Sequence, residues 1–250
     1  EQVQIAFRTA GNASPDKEAL ILVDMILDNS SAGLINLNLN QQQLVTNAGS
    51  SPLFLNDHGV QQLYGVPKRN QTLEEVEQLL LEQIDIIKAG GFEDWIIPAI
   101  INDFKKNQKA GLEFNTARVS IMRQAFIEGA DWNHHIAEIS RMEQLTKQDV
   151  IDVANRYFEN NYVAVYRIDA QHEVPPVDKP QIDPVTIDPA RQSEFAGQVL
   201  AMDYFEIEPS FVETDTDYRV VEFGDGIELY YAPNPLNDLF TLSINVDVGT

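Results

Sequence analysis

The sequence predicts an α+β fold, with a mainly antiparallel sheet and helices packed on one face. Three observations lead there. Segments with period-two alternation of apolar residues are interleaved with amphipathic helical segments. Two of the extended segments are joined by a short turn, as in an antiparallel hairpin. Apolar residues make up 44% of the 250 positions, enough to bury a sizeable core.

The first strand is "VQIAF", where Val3, Ile5 and Phe7 alternate with polar neighbours. Ser14 followed by Pro15 is a helix start, because Ser caps and Pro suits the first helical position. That helix carries Leu20, Val23, Met25, Ile26 and Leu27. "NSSAG" breaks it, and "LINLNLNQQQ" reads as a second short helix. The stretch "LVTNAGSSPLFLNDHGVQQLYGVP" reads as a hairpin turning at "NDHG".

Thr72 with Glu75 makes a capping box for the next helix. Its buried face should hold Leu73, Val76, Leu79, Leu80, Gln83, Ile84 and Ile87, with Gln83 the polar member. "AGG" stops it. A helix with Pro98 as a kink follows, then one from about Asn115 to Glu128, and another at "DWNHHIAEISRMEQL". Thr146 and Asp149 open the helix "KQDVIDVANRY", and "NNYVAVYRID" closes the unit as a strand.

The domain division that follows is 1–169, an α+β repeat domain; 170–215, a Pro/Asp-rich inter-domain linker with a short helix in "RQSEFAGQVLAMDYFEI"; and 216–250, opening strands of a further repeat. In the last part "YRVVEF", "GDG" and "IELYYAP" form a hairpin. Phe240, Leu242, Ile244, Val246 and Val248 alternate as one more strand. Both ends read as cuts through a longer protein.

Composition narrows the chemistry. There are 17 basic and 39 acidic residues, a net charge of −22. Such a field repels phosphate backbones, so nucleic acid is not an expected partner. It tolerates neutral or basic peptides. There is no cysteine, which excludes disulfide scaffolds and Cys-based zinc sites and leaves the compartment open between bacterial envelope or periplasm and cytoplasm. No apolar run has the length of a membrane span, so no membrane insertion is expected.

Half of the four histidines lie in "WNHHIAEISRMEQ". A helical zinc site needs two His on one face four residues apart, with a Glu as base, as HExxH or HxxEH. Here the order is H-H-x-x-E. Adjacent His134 and His135 cannot both face one ion with Glu138, and position 139 is Ile. His58 falls in the hairpin and His172 in the linker. A solvated helix start is the simpler reading. No GxSxG, Walker A or dinucleotide glycine pattern is present. Trp95 and Trp132, near helix starts, read as core or staple residues.

Several stretches together resemble the insulinase/pitrilysin family of zinc metallopeptidases, the inverted zincins. They are "SPDKEALILVDMILDNSSAGLINLNL", "QLVTNAGSS", "LEEVEQLLLEQIDIIKAGGFEDWIIPAIINDFKKNQKAGLEF", "MEQLTKQDVIDVANRYFENNYVAVYRI" and "GDGIELYYAPNPLNDLFTLSINVDVGT". The resemblance implies repeated α+β domains enclosing a peptide chamber, with HxxEH and a downstream Glu in the first domain only. This chain has no HxxEH, and its "SSAGL" lacks the Arg of the family's "SSRL" turn. It therefore resembles the non-catalytic second repeat and the start of the third.

The resemblance implies no catalytic and no metal-binding residue here, with zinc in the catalytic domain of the parent protein. The implied partners are the parent's other domains and a peptide substrate. The implied role is an internal, non-catalytic segment of a zinc metalloendopeptidase, lining a chamber and assisting peptide binding. The alternative is a scaffold or partner subunit that has lost hydrolysis. One local expectation is that Gly49, Ser50 and Ser51 lie on an edge strand whose backbone pairs with extended peptide; an ordinary strand end is the competing reading.

Overall fold

Alternation in β1 (Gln2–Ala10) produces the most buried strand of the chain, with Val3, Ile5 and Phe7 at 0–1% exposure. The reason is position. In this computed structural model the sheet order is β2-β3-β1-β4, so β1 is flanked on both sides, by β3 (His58–Val66) and β4 (Tyr162–Arg167). β2 (Asn47–Phe54) and β4 are the two edges. All three pairings are antiparallel. The structure describes residues 1–171, 177–185, 188, 190–204, 206–246 and 248. His172 and part of the Pro/Asp-rich stretch lie outside the described residues. The chain divides into two units, Glu1–Ala170 and Gln171–Thr250.

In the first unit the helices are α1 (Lys17–Leu27), α2 (Leu73–Lys88), α3 (Ile96–Gly111), α4 (Asn115–Glu128), α5 (Trp132–Ile136), α6 (Glu138–Met142) and α7 (Lys147–Tyr157). A five-residue π-helical turn, Asn36–Asn40, replaces the short helix expected after α1. One core forms where α1, α2 and α7 cover the odd-numbered side chains of β1 and β3. Phe7 anchors it, meeting the ring of Phe158 edge-on at 5.1 Å. Gly65 is required by this packing, since a Cβ there would lie 2.4 Å from Cγ1 of Val76 on α2. The architecture is the α+β arrangement that the alternation and the hairpin predict.

Local signals fare unequally. Both capping boxes form, Thr72 with Glu75 and Thr146 with Asp149. Helix α1 begins later than Ser14–Pro15 suggests, because the Ser14 hydroxyl accepts the Asp16 N–H in a preceding turn. Pro98 makes no kink: it lies in the first turn of α3, where its missing N–H leaves no helical bond unmade. The helix at "DWNHHIAEISRMEQL" is two short helices broken at Ala137.

In the second unit α8 (Glu194–Leu200) and the hairpin of β5 (Arg219–Gly224) and β6 (Ile227–Tyr231) form as expected. The strand expected over Phe240–Val248 does not form among the described residues. Alternation specifies a strand only where a neighbour supplies hydrogen bonds and a core receives one face. No described residue of this unit is buried, and Phe240 is 89% exposed.

Candidate functional site

Strand β2 carries Gly49, Ser50 and Ser51 at the sheet edge. The hairpin register, with Leu55 N–H donating to His58 O at the turn, directs the backbone of odd β2 residues toward β3 and that of even residues outward. The outward groups are largely occupied. Ala48 exchanges two bonds with the Asn40 carboxamide, its N–H donating to Oδ1 at 2.9 Å and its C=O accepting from Nδ2 at 2.8 Å. The Ser50 N–H donates to Asp28 Oδ2 at 3.1 Å. Pro52 has no N–H to offer, and the Phe54 C=O accepts from Asn12. The carbonyls of Ser50 and Pro52 are left for an incoming strand. Gly49 is buried, and a Cβ there would meet Asp28 Oδ2 at 2.7 Å and Tyr64 at 2.8 Å.

Behind this edge is a buried polar cluster that sequence reasoning missed. Asp24 on α1 is 7% exposed. Its Oδ1 accepts from the Ser50 hydroxyl at 2.7 Å and from Gln61 Nε2 at 2.6 Å. Desolvation raises its pKa, with the nearby Asp28 carboxylate acting the same way and the two hydrogen bonds opposing. The signal was visible in "ILVDMIL", an acid inside an apolar helix stripe. Gln83, the polar member of the α2 face, is likewise partnered: it accepts from Asn38 at 2.8 Å and so ties the π-helical turn to α2.

The histidine segment disperses its chemistry. Asp131 caps α5 by accepting from the N–H groups of Asn133 and His134. His135 stacks on Trp132, and its Nδ1 is 3.5 Å from Glu128 Oε2. Glu138 turns instead to Lys17, at 2.9 Å. His134 borders a small hollow with Glu18 and Arg141. There Arg141 bonds the buried Glu18 carboxylate through Nε, at 2.8 Å, and Nη2, and His134 O through Nη1. Among the described residues no three His, Asp or Glu side chains converge as metal ligands.

Two further surfaces stand out among the described residues. One is a hollow of about 850 Å³ between the turn after α1 and the α2–α3 turn, lined by Leu34, Leu37, Phe92, Trp95 and Lys147 among others. Trp95 is 60% and Trp132 43% exposed, so neither is the core residue its position suggested. Gly90, in the turn after α2, has φ +70°.

The other is the sheet face away from the helices. It presents Gln4, Ala6 and Arg8 from β1, Gln62 and Tyr64 from β3, Ser51 and Leu53 from β2, and Val163, Val165 and Arg167 from β4. Its strand positions include no Asp or Glu, in a chain of net charge −22. Among the described residues no helix is long and apolar enough to cross a membrane.

Residues 1–104 match the family model described as the Peptidase M16 inactive domain. None of the curated proteins matches the chain. Solved structures share its fold. A protease from Helicobacter pylori is similar at TM-score 0.62 and 17% identity, over 65% of this chain and 40% of its own. The inactive peptidase domain of a protein assigned as a zinc protease from Bordetella parapertussis is similar at TM-score 0.60 and 16% identity, over 70% of this chain and 95% of its own. A chain of Complex III from Candida albicans is similar at TM-score 0.55 and 11% identity, over 65% of this chain and 41% of its own. The chain thus spans 40% of the length of the Helicobacter protein.

Proposed function

We propose that this chain, whose residues 1–104 match the model of the Peptidase M16 inactive domain, is a non-catalytic segment of a zinc metalloendopeptidase of the M16, insulinase/pitrilysin type. In this reading it forms part of a chamber wall and holds peptide substrate, while a separate domain of the parent binds zinc and hydrolyses the peptide bond. The observation that carries the proposal is the match to the inactive-domain model on a chain without HxxEH.

The open sheet face is the surface suited to peptide. It is broad and largely exposed, and its amides, hydroxyls and apolar groups, beside Arg8 and Arg167, contact extended polypeptide without demanding a sequence. The Gly49–Ser51 edge belongs to the same proposal in a restricted form: a peptide there would donate to the carbonyls of Ser50 and Pro52, beside Asn40 and Asp28. The absence of carboxylates on this face refines the expectation from net charge. Acids concentrated elsewhere do not select basic peptides here.

The alternative reading is a scaffold or partner subunit that has lost hydrolysis, which a chain without HxxEH also allows. Titrating the chain into a fluorescein-labelled unstructured peptide, with and without zinc, separates the readings. Saturable binding with an intact peptide in both conditions is the expected result. Hydrolysis by the chain would overturn the non-catalytic assignment, and absence of binding would favour the scaffold.

A further inference from the structure

The two edges of the sheet are protected differently. β2 has its outward groups taken by Asn40, Asp28 and Asn12, and has Pro52 in place of a donor. Such devices leave β2 only the Ser50 and Pro52 carbonyls to offer and disfavour a full ladder with another strand. β4 has none of them. It contains no Pro, Lys or bulge, and among the described residues no side chain bonds its backbone. Carrying the register across the sheet, odd β1 residues bond β3 and even ones bond β4. Odd β4 residues therefore point their backbone at β1. The N–H and C=O groups of Tyr162, Ala164 and Tyr166 point outward, with no partner among the described residues. Val163 and Val165, on the open face, are 63% and 55% exposed.

The sequence of this edge is a palindrome, Tyr162-Val163-Ala164-Val165-Tyr166. We propose that β4 pairs antiparallel with β4 of a second copy, about a two-fold axis at Ala164. Three hydrogen-bonded pairs form, Tyr162 with the second copy's Tyr166, Ala164 with Ala164, and Tyr166 with Tyr162. Each pair exchanges two backbone bonds, and the two sheets become one. On the open face each Val163 lies opposite a Val165, an apolar cross-strand pair. Each Arg167 falls opposite Asn161 rather than another Arg. The contact is isologous, so it closes at two copies and does not propagate. The net charge of −22 per chain opposes association over long range, so the dimer strengthens as salt screens that repulsion.

The chain has no cysteine, which permits a direct test of register. In the dimer the two Ala164 Cα atoms are about 5.5 Å apart, within disulfide reach. The full chain with Ala164→Cys should cross-link to a covalent dimer on mild oxidation, whereas Val163→Cys, which faces Val165, should not. By sedimentation velocity the unmodified chain should dimerise. Val163→Lys with Val165→Lys should abolish the dimer, and Val163→Glu with Val165→Lys should restore it by setting Glu opposite Lys. Circular dichroism checks that each variant folds. A monomeric unmodified chain, or a dimer indifferent to these charges, would overturn the proposal.

Discussion

The sheet has two faces, and they are built on opposite terms. On the helix side, Val3, Ile5, Phe7 and Leu63 are sealed, and every polar group carried inside has a partner: Asp24 with Ser50 and Gln61, Glu18 with Arg141, Gln83 with Asn38. On the open side the side chains are neutral or basic and mostly exposed, with Arg8 paired to His58 and Tyr64 to Asn47. The difference teaches where stability resides and which face is free to serve the proposed peptide binding. Substitutions behind the sheet should be read in unfolding, and substitutions in front of it in ligand affinity.

The largest effect should come from Arg141→Ala. It strands the Glu18 carboxylate, 7% exposed, without its guanidinium, and breaking such a pair costs about 3 kcal/mol or more. Urea unfolding should show a lowered midpoint with an unchanged slope. A double variant, Glu18→Gln with Arg141→Met, should recover much of the loss, because no unpaired charge remains inside.

Asp24 offers a sharper contrast. Asp24→Ala removes the acceptor of two buried donors and should cost about 2 kcal/mol. Asp24→Asn keeps both bonds at Oδ1 and removes a buried charge, so it should be neutral or stabilising. The sign with pH follows from the raised pKa. The folded state holds this proton more tightly than the unfolded state, so stability falls as pH rises from 3.8 through the folded value. Thermal melts of the Asn variant should lose that part of the slope.

A smaller effect sits at the β4 edge. Glu77 accepts from the hydroxyls of Tyr162 and Tyr166, and this hydrogen bond pushes the Tyr166 pKa up to about 12. The contribution is fully present below the unfolded value of 10 and is lost as pH rises through about 12. Tyr166→Phe should flatten stability across that window. Smallest is a substitution on the open face itself: Gln62→Ala should move the unfolding midpoint within about 0.5 kcal/mol. A large loss there would break the division between the faces.

Much of this was legible before any coordinates. Thr72 with Glu75 and Thr146 with Asp149 are local devices, complete within four residues, and both form. The alternation of β1 and the hairpin of β2 and β3 specify the sheet. What was hidden depended on partners far along the chain. Pro98 reads as a kink or as a first-turn residue according to where α3 begins. Phe240–Val248 has the alternation of a strand and no neighbour to pair with among the described residues. Asp24 looked like one acid among 39 until Gln61 and Ser50 were brought to it. The edges could be told apart only after the strand order was known.

The most direct test of the central claim is the steady-state kinetics of the parent protein on an unstructured peptide, with Gln4→Glu and Gln62→Glu introduced together on the open face. The account predicts a KM raised several-fold for an acidic peptide with kcat unchanged, the signature of lost substrate binding remote from the chemistry. A kcat loss at constant KM would make this domain part of the catalytic apparatus, and a parent that hydrolyses no peptide would make it a scaffold.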